Sequence, residues 1–218
     1  MKPAFRDRPH AGRELAHMLE EFRGSAALVL AIPAGGVPVA AAIAQELGLP
    51  LDVVPVSKVL YPWTTEAGYG AVAFDGSVLL DEAAIEANGV KPEQVEKAVA
   101  DARGKVERRL ARLRAGRAPL AISGSTVILV DDGIAAGSTM RAAIGALRRQ
   151  GAARVFVAVP TAHRRAFDAI SKLADEAYCA NVRAGGRFAV AEAYEEWRDL
   201  PDDEIEALLQ NRGPAPMK

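Results

Sequence analysis

The stretch that most constrains this chain is Val127 to Met140, Val-Ile-Leu-Val-Asp-Asp-Gly-Ile-Ala-Ala-Gly-Ser-Thr-Met. Four apolar residues without polar alternation read as a strand buried on both faces, the pattern of a parallel sheet. Asp131 and Asp132 close the run and so fall at the strand's carboxyl end, where open α/β sheets bind ligands. Gly133 and Gly137 let the backbone bend and approach a ligand closely. Ser138 and Thr139 bring hydroxyls and amides to the start of a helical pattern, a ready anion site. Acids suited to a sugar diol, beside a nest suited to a phosphate, describe a ribose-5-phosphate site. The bland alternative is a strand ending in an ordinary Asp-Gly turn. The glycine–hydroxyl loop and the helix after it argue against that.

The rest of the chain alternates strand and helix patterns, which points to an α/β fold on a mainly parallel sheet. Helices are expected over Gly12–Phe22, Val37–Leu47 (closed by Gly48), Ser138–Gln150 (stopped by Gly151), His163–Leu173 and from Pro201 to Gln210. Strands are expected over Ala27–Ile32, Leu51–Val56, Val127–Val130, Val155–Val159 and Ala177–Ala180. An insertion covers about 60–125. It carries a hairpin signal, Gly70–Phe74 and Ser77–Asp81 around an Asp75-Gly76 turn, and then a long helix from Pro92 to about Arg114. That helix has one apolar stripe, Val95, Val99, Ala102, Val106, Leu110 and Leu113. Arg108, Arg109, Arg112, Arg114 and Arg117 could meet an anionic partner, but a solvated helix face is the simpler reading. The whole of 1–218 is expected to form one domain, with 213–218 a frayed tail.

Composition excludes several classes. The 27 basic and 28 acidic residues leave a net charge of −1, so no global field draws in nucleic acid or membrane. No apolar run reaches the ~18 residues of a membrane helix, and the polar, basic start from Met1 to Gly12 does not read as a signal peptide. A lone cysteine, Cys179, rules out an intrachain disulfide framework and suits a reducing cytoplasm; it is expected to be a buried structural thiol. His10, His17 and His163 are too scattered for a histidine metal site or a histidine-based triad.

Further candidates lie near expected strand ends. In Pro33-Ala34-Gly35-Gly36-Val37-Pro38, two glycines before a helix are expected to free their amides for an anion. Lys58 is expected just past the second strand, where it offers a point charge or merely faces solvent. Residues 61–71, Tyr-Pro-Trp-Thr-Thr-Glu-Ala-Gly-Tyr-Gly-Ala, suit a loop that closes over a reactive site. There Trp63 or Tyr69 could stack on a base, and Glu66 could serve a metal ion or a proton; equally, the aromatics could pin the hairpin in place. Thr161 and His163 follow the strand after the acid pair, where His163 more simply starts a helix.

Residues 127–139 resemble the phosphoribosyl-pyrophosphate (PRPP) motif of type I phosphoribosyltransferases. Phe5-Arg6-Asp7-Arg8 with Ala11-Gly12, the Pro-x-Gly-Gly-Val loop, Lys58 and the Glu66–Val72 segment occur in the order found in a group of bacterial and archaeal members. The resemblance implies a parallel five-stranded sheet with helices on both faces, topped by a hood that terminal segments would build and that sets the nucleobase. It implies transfer of the phosphoribosyl group of PRPP to a nitrogen acceptor, with Mg²⁺ and release of pyrophosphate. Asp131 and Asp132 would hold the ribose hydroxyls, directly or through the metal. Gly133, Ala135, Ala136, Gly137, Ser138 and Thr139 would cradle the 5′-phosphate. Ala34, Gly35, Gly36 and Lys58 would take the pyrophosphate, and Glu66 would lie in the catalytic loop.

Three positions depart from the family pattern. Ala34 stands where members often carry a basic residue, Ala135 where purine-salvage members carry an acid, and Ala136 where Thr is common. Ordinary hypoxanthine–guanine salvage is therefore disfavoured. A non-catalytic module that senses PRPP or a nucleotide is the main alternative. A phosphoesterase would need a metal cluster that the sequence does not show. Small-molecule partners are expected, nucleic acid and membrane are not, and a homodimer is left open.

Overall fold

The structure, a computed structural model, describes residues 2–65, 67–186 and 188–210. The first half of the main sheet comes from helix α1 (Arg8–Met18), a 3-10 turn at Glu20–Phe22, strand β1 (Leu28–Ala31), helix α2 (Gly36–Leu47) and strand β2 (Leu51–Val53). Next come β3 (Ser57–Leu60), β4 (Gly68–Val72), β5 (Val78–Leu80), α3 (Glu82–Ala87) and α4 (Pro92–Arg114). The second half is β6 (Thr126–Val130), α5 (Ser138–Arg149), β7 (Arg154–His163), α6 (Arg164–Ser171) and β8 (Glu176–Arg183). A short 3-10 turn at Val190–Ala193 and helix α7 (Asp202–Gln210) follow.

The main sheet has five strands in the order β2-β1-β6-β7-β8, all parallel. From β1 the chain winds outward to β2, and from β6 it winds the other way to β8. The crevice between β1 and β6 is therefore the topological switch point, where such sheets bind ligands. Successive β1 and β6 residues point to opposite faces, and both faces are covered. Val29, Ala31, Ile128 and Val130 pack with α1, α2 and α7, while Leu28, Leu30, Val127 and Leu129 pack with α5 and α6. This is the α/β architecture expected from the sequence.

The second strand ends earlier than expected, at Val53. Val54 still donates to Ala31 O at 2.9 Å, but Pro55 has no amide to continue the ladder. The chain then turns into a separate antiparallel sheet, β3-β4-β5, so the insertion begins at Ser57 and Lys58 belongs to it. Its expected hairpin forms around Asp75-Gly76, with Gly76 at φ 81°. One face packs on α4 through Val59, Tyr69, Val72, Ala102 and Val106. The other side packs on α5 by small residues, Ala71 and Ala73 against Ala142 and Ala146. The hairpin is thus held close to the loop that opens α5.

The arginines along and just after α4 are mostly engaged within the fold. Arg112 pairs with Asp202 at 2.8 Å and Glu206 at 2.6 Å, Arg114 lies 3.8 Å from Asp52, and Arg117 donates to Leu209 O at 2.7 Å. They tie α4 to α7 and β2. Cys179 is half-buried in β8, its thiol directed at Pro160 O, and burial pushes its pKa up to about 11. Among the described residues, no helix is long and apolar enough to cross a membrane.

Candidate active site

The acid pair sits where β6 leaves the sheet. Ile32 N donates to Val130 O at 2.8 Å, so the Pro33–Gly36 turn after β1 runs directly beside Asp131 and Asp132. The Pro33–Ala34 peptide is cis. Space explains both glycines. A β-carbon on Gly35 would lie 1.8 Å from Asp132 Oδ2, and one on Gly36 would lie 2.8 Å from Val130 O and 2.9 Å from Asp131 Cα. The expectation that both amides face an anion is corrected at Gly36, whose N–H donates to Ile32 O at 3.1 Å within the turn.

Beyond the acids, the loop turns back along β7. Ile134 N donates to Thr161 O at 3.0 Å and His163 N to Ile134 O at 2.9 Å. A side chain on Gly133 would run into Val190 at 2.6 Å. Gly137 caps α5 with φ 81°, a conformation that suits glycine. Ser138, Thr139 and Met140 open the helix, and their amides lie in the first turn, which has no intrahelical acceptors. Asp131, Lys58, Val190 and the loop from Gly133 to Met140 line one cavity of about 230 Å³. Asp131, the anion nest and the Lys58 cation thus share one space, with Asp132 next to Asp131 but outside the cavity's lining.

The carboxylates are strained electrostatically. Burial pushes the Asp131 carboxyl well above its ordinary range, and the neighbouring Asp132 charge adds to the effect. Burial also raises Asp132, but Arg8 opposes the shift: its Nε lies 2.9 Å from Asp132 Oδ2. Asp132 N donates to Asp131 Oδ1 at 2.8 Å, and Tyr194 donates its hydroxyl to Asp132 O at 2.6 Å. Tyr194 is itself buried, which raises its pKa and keeps the hydroxyl a donor.

The remaining candidates divide. Tyr69 is fully buried under the hairpin, 5.0 Å from the Tyr61 ring, so it cannot stack on a base. Trp63 is exposed and stacked on Tyr61 at 5.2 Å. Glu66 lies outside the described residues. Thr161 is buried, donating to Asn181 O at 3.1 Å, and His163 Nε2 is 3.0 Å from Gly185 O. Sequence reasoning did not single out Arg8 or Tyr194 as site residues. The one available signal was Arg8's place in Phe5-Arg6-Asp7-Arg8, where Asp7 caps α1 by accepting from His10 N at 2.7 Å.

The family model for the phosphoribosyl transferase domain matches residues 7–193. The chain belongs to the phosphoribosyl transferase family. A provisionally named phosphoribosyl transferase of Mycobacterium tuberculosis, given for two strains, is 36% identical over 205 residues, covering 94% of this chain and 46% of the relative. The chain thus spans less than half the length of these curated relatives. The crystal structure of TT1426 from Thermus thermophilus superposes with a TM-score of 0.79 at 36% identity, covering 98% of this chain and 100% of that one. In family terms, the motif loop and the acid pair meet at the sheet's switch point.

Proposed function

We propose that this phosphoribosyl transferase binds PRPP with Mg²⁺ and passes its phosphoribosyl group to a nitrogen acceptor, releasing pyrophosphate in a reducing, cytoplasmic setting. The observation that carries the reading is the shared cavity, in which Asp131, the Gly133–Thr139 loop and Lys58 face the same volume. In the reaction the bond between ribose C1 and the pyrophosphate oxygen breaks as the bond from C1 to nitrogen forms. Positive charge builds on the sugar ring and negative charge on the leaving group, so positioning and electrostatics carry catalysis.

The α5 amides with Ser138 and Thr139 hold the 5′-phosphate. Asp131 and Asp132 take the ribose hydroxyls, and their charge favours the electron-poor ring. Lys58 and the Ala34–Gly36 turn receive the pyrophosphate end. No group of three or more histidine, cysteine or acidic side chains suited to a metal occurs among the described residues. Two carboxylates nonetheless fit Mg²⁺, which keeps waters and substrate oxygens as most of its ligands. Asp131 and Asp132 would hold it, and when bound it would offset the pyrophosphate charge. The aliphatic side chain of Ala135 supplies no acid toward a purine, which directs the search toward other nitrogen nucleophiles.

Pyrophosphate release from PRPP across a panel of bases and amines tests the proposal. An active acceptor is expected, with kcat/KM falling about 100-fold in Asp131→Asn and requiring Mg²⁺. Tight PRPP binding with no release for any acceptor would instead assign the chain to sensing.

A further inference from the structure

We infer that Arg8 is a positioning residue: clamped on Trp197, it fixes the Asp132 carboxylate in the orientation that receives the ribose hydroxyls. The inference rests on the proposed PRPP reading and adds a residue to it. It begins with a problem of charge. Two adjacent carboxylates, Asp131 lining the cavity and Asp132 beside it, repel a phosphorylated ligand, and Asp132 needs a cation close by. Among the described residues, the cation in contact with it is Arg8, 124 positions away, through Nε at 2.9 Å.

Its burial and two further contacts make this more than a chance ion pair. Arg8 is only 7% exposed, and a guanidinium is buried at high cost unless it is paired and hydrogen-bonded. Its Cζ lies 3.8 Å from the centre of the Trp197 ring, and its Nη1 donates to Arg198 O at 3.0 Å. The fork is therefore held from its face and from its end, leaving Nε aimed at one carboxylate oxygen. Gly35 closes the other side of that oxygen, since a β-carbon there would overlap it at 1.8 Å. Asp132 is wedged between a glycine and a fixed guanidinium.

The backbone is built to hold this arrangement. Gly12 lets α1 touch α2, because a β-carbon there would meet Val39 O at 2.5 Å. The N-terminal segment also pairs with the chain after the Val190–Ala193 turn: Glu195 N donates to Phe5 O at 2.9 Å and Glu196 N to Arg6 O at 2.8 Å. Arg8 and Trp197 are thereby brought together from opposite ends of the described chain.

A double-mutant cycle between Arg8 and Asp132, read by calorimetric titration with PRPP and Mg²⁺, tests the assignment. Arg8→Gln is expected to weaken PRPP binding at least about tenfold in the wild-type background and by less than about twofold when Asp132→Asn is already present. Arg8→Lys keeps the charge but not the planar fork and should recover only part of the loss, about threefold. Trp197→Leu leaves Arg8 in place, guards against a folding artefact and is expected to weaken binding about threefold. Thermal melts accompany each variant. Wild-type affinity in a folded Arg8→Gln, or an equal loss in both backgrounds, would overturn the positioning role alone. Wild-type protein that binds neither PRPP nor ribose 5-phosphate would instead remove the proposed function, and this inference with it.

Discussion

A methyl group on Gly35 would collide with the end of the Asp132 side chain, whereas one on Gly36 would collide with backbone at Val130 and Asp131. The two substitutions should therefore fail differently. Gly35→Ala can be relieved by swinging Asp132 off Arg8, so we expect a stability loss below about 2 kcal/mol and PRPP affinity down at least about tenfold. Gly36→Ala has no flexible neighbour to displace and should cost about 2–3 kcal/mol in stability. Chemical denaturation and titration of both proteins would check this, and equal stability losses would contradict it. The glycine pair was legible in the sequence, but its reason was not. Reading it as two free amides missed that one amide is bonded within the turn and that both positions are defined by what lies against them. Asp131, Asp132 and the loop to Thr139 were legible because they are contiguous. Arg8 was not, because its partner is set by tertiary packing.

At the level of elements, apolar runs located the sheet but misjudged where its strands end. β7 continues through Pro160 to His163, and β8 extends from Glu176 to Arg183. A proline and interspersed polar residues hid these extensions, which the pairing of Thr161 with Asn181 and of His163 with Arg183 supplies. The short α3 went unseen, having no buried residue to impose a periodicity. The α6–β8 connection is fastened to β7 by one acid. Asp175 accepts from Val155 N at 2.6 Å and from Arg148 at 2.8 Å, and the Val155 amide, helped by Arg148, holds its carboxyl below the ordinary value. A carboxyl depressed by folding adds stability above its unfolded pKa of about 4, and that contribution disappears as pH falls through the folded value. Asp175→Asn should thus cost about 1 kcal/mol at pH 7, with the difference from wild type shrinking as pH falls through the folded value. Urea melts at several pH values would measure it, and a difference independent of pH would refute the argument.

Across the whole molecule, the strand–helix alternation gave away the main sheet, and the Asp-Gly turn gave away the hairpin. The meeting of the two end segments left no local trace. Phe5 packs with Ala11, Ala193 and Tyr194 in a small cluster set apart from the two sheet cores. Phe5→Ala should loosen this junction by about 3 kcal/mol while leaving the sheet intact. Hydrogen exchange would report it as lost protection at the Glu195 and Glu196 amides, with the β6 and β7 amides unchanged. Uniform loss across the sheet would mean that the junction is no separate unit.

That junction also sets an order in time. A ribosome delivers the acid pair and the phosphate loop about 60 residues before the segment carrying Tyr194 and Trp197, at roughly 5–20 residues per second. For those seconds the nascent chain holds Asp132 without the clamp that Arg8 and Trp197 later form. Competence to bind would then follow the making of its own phosphate loop by seconds, and a protease cutting within the 194–198 segment would remove it.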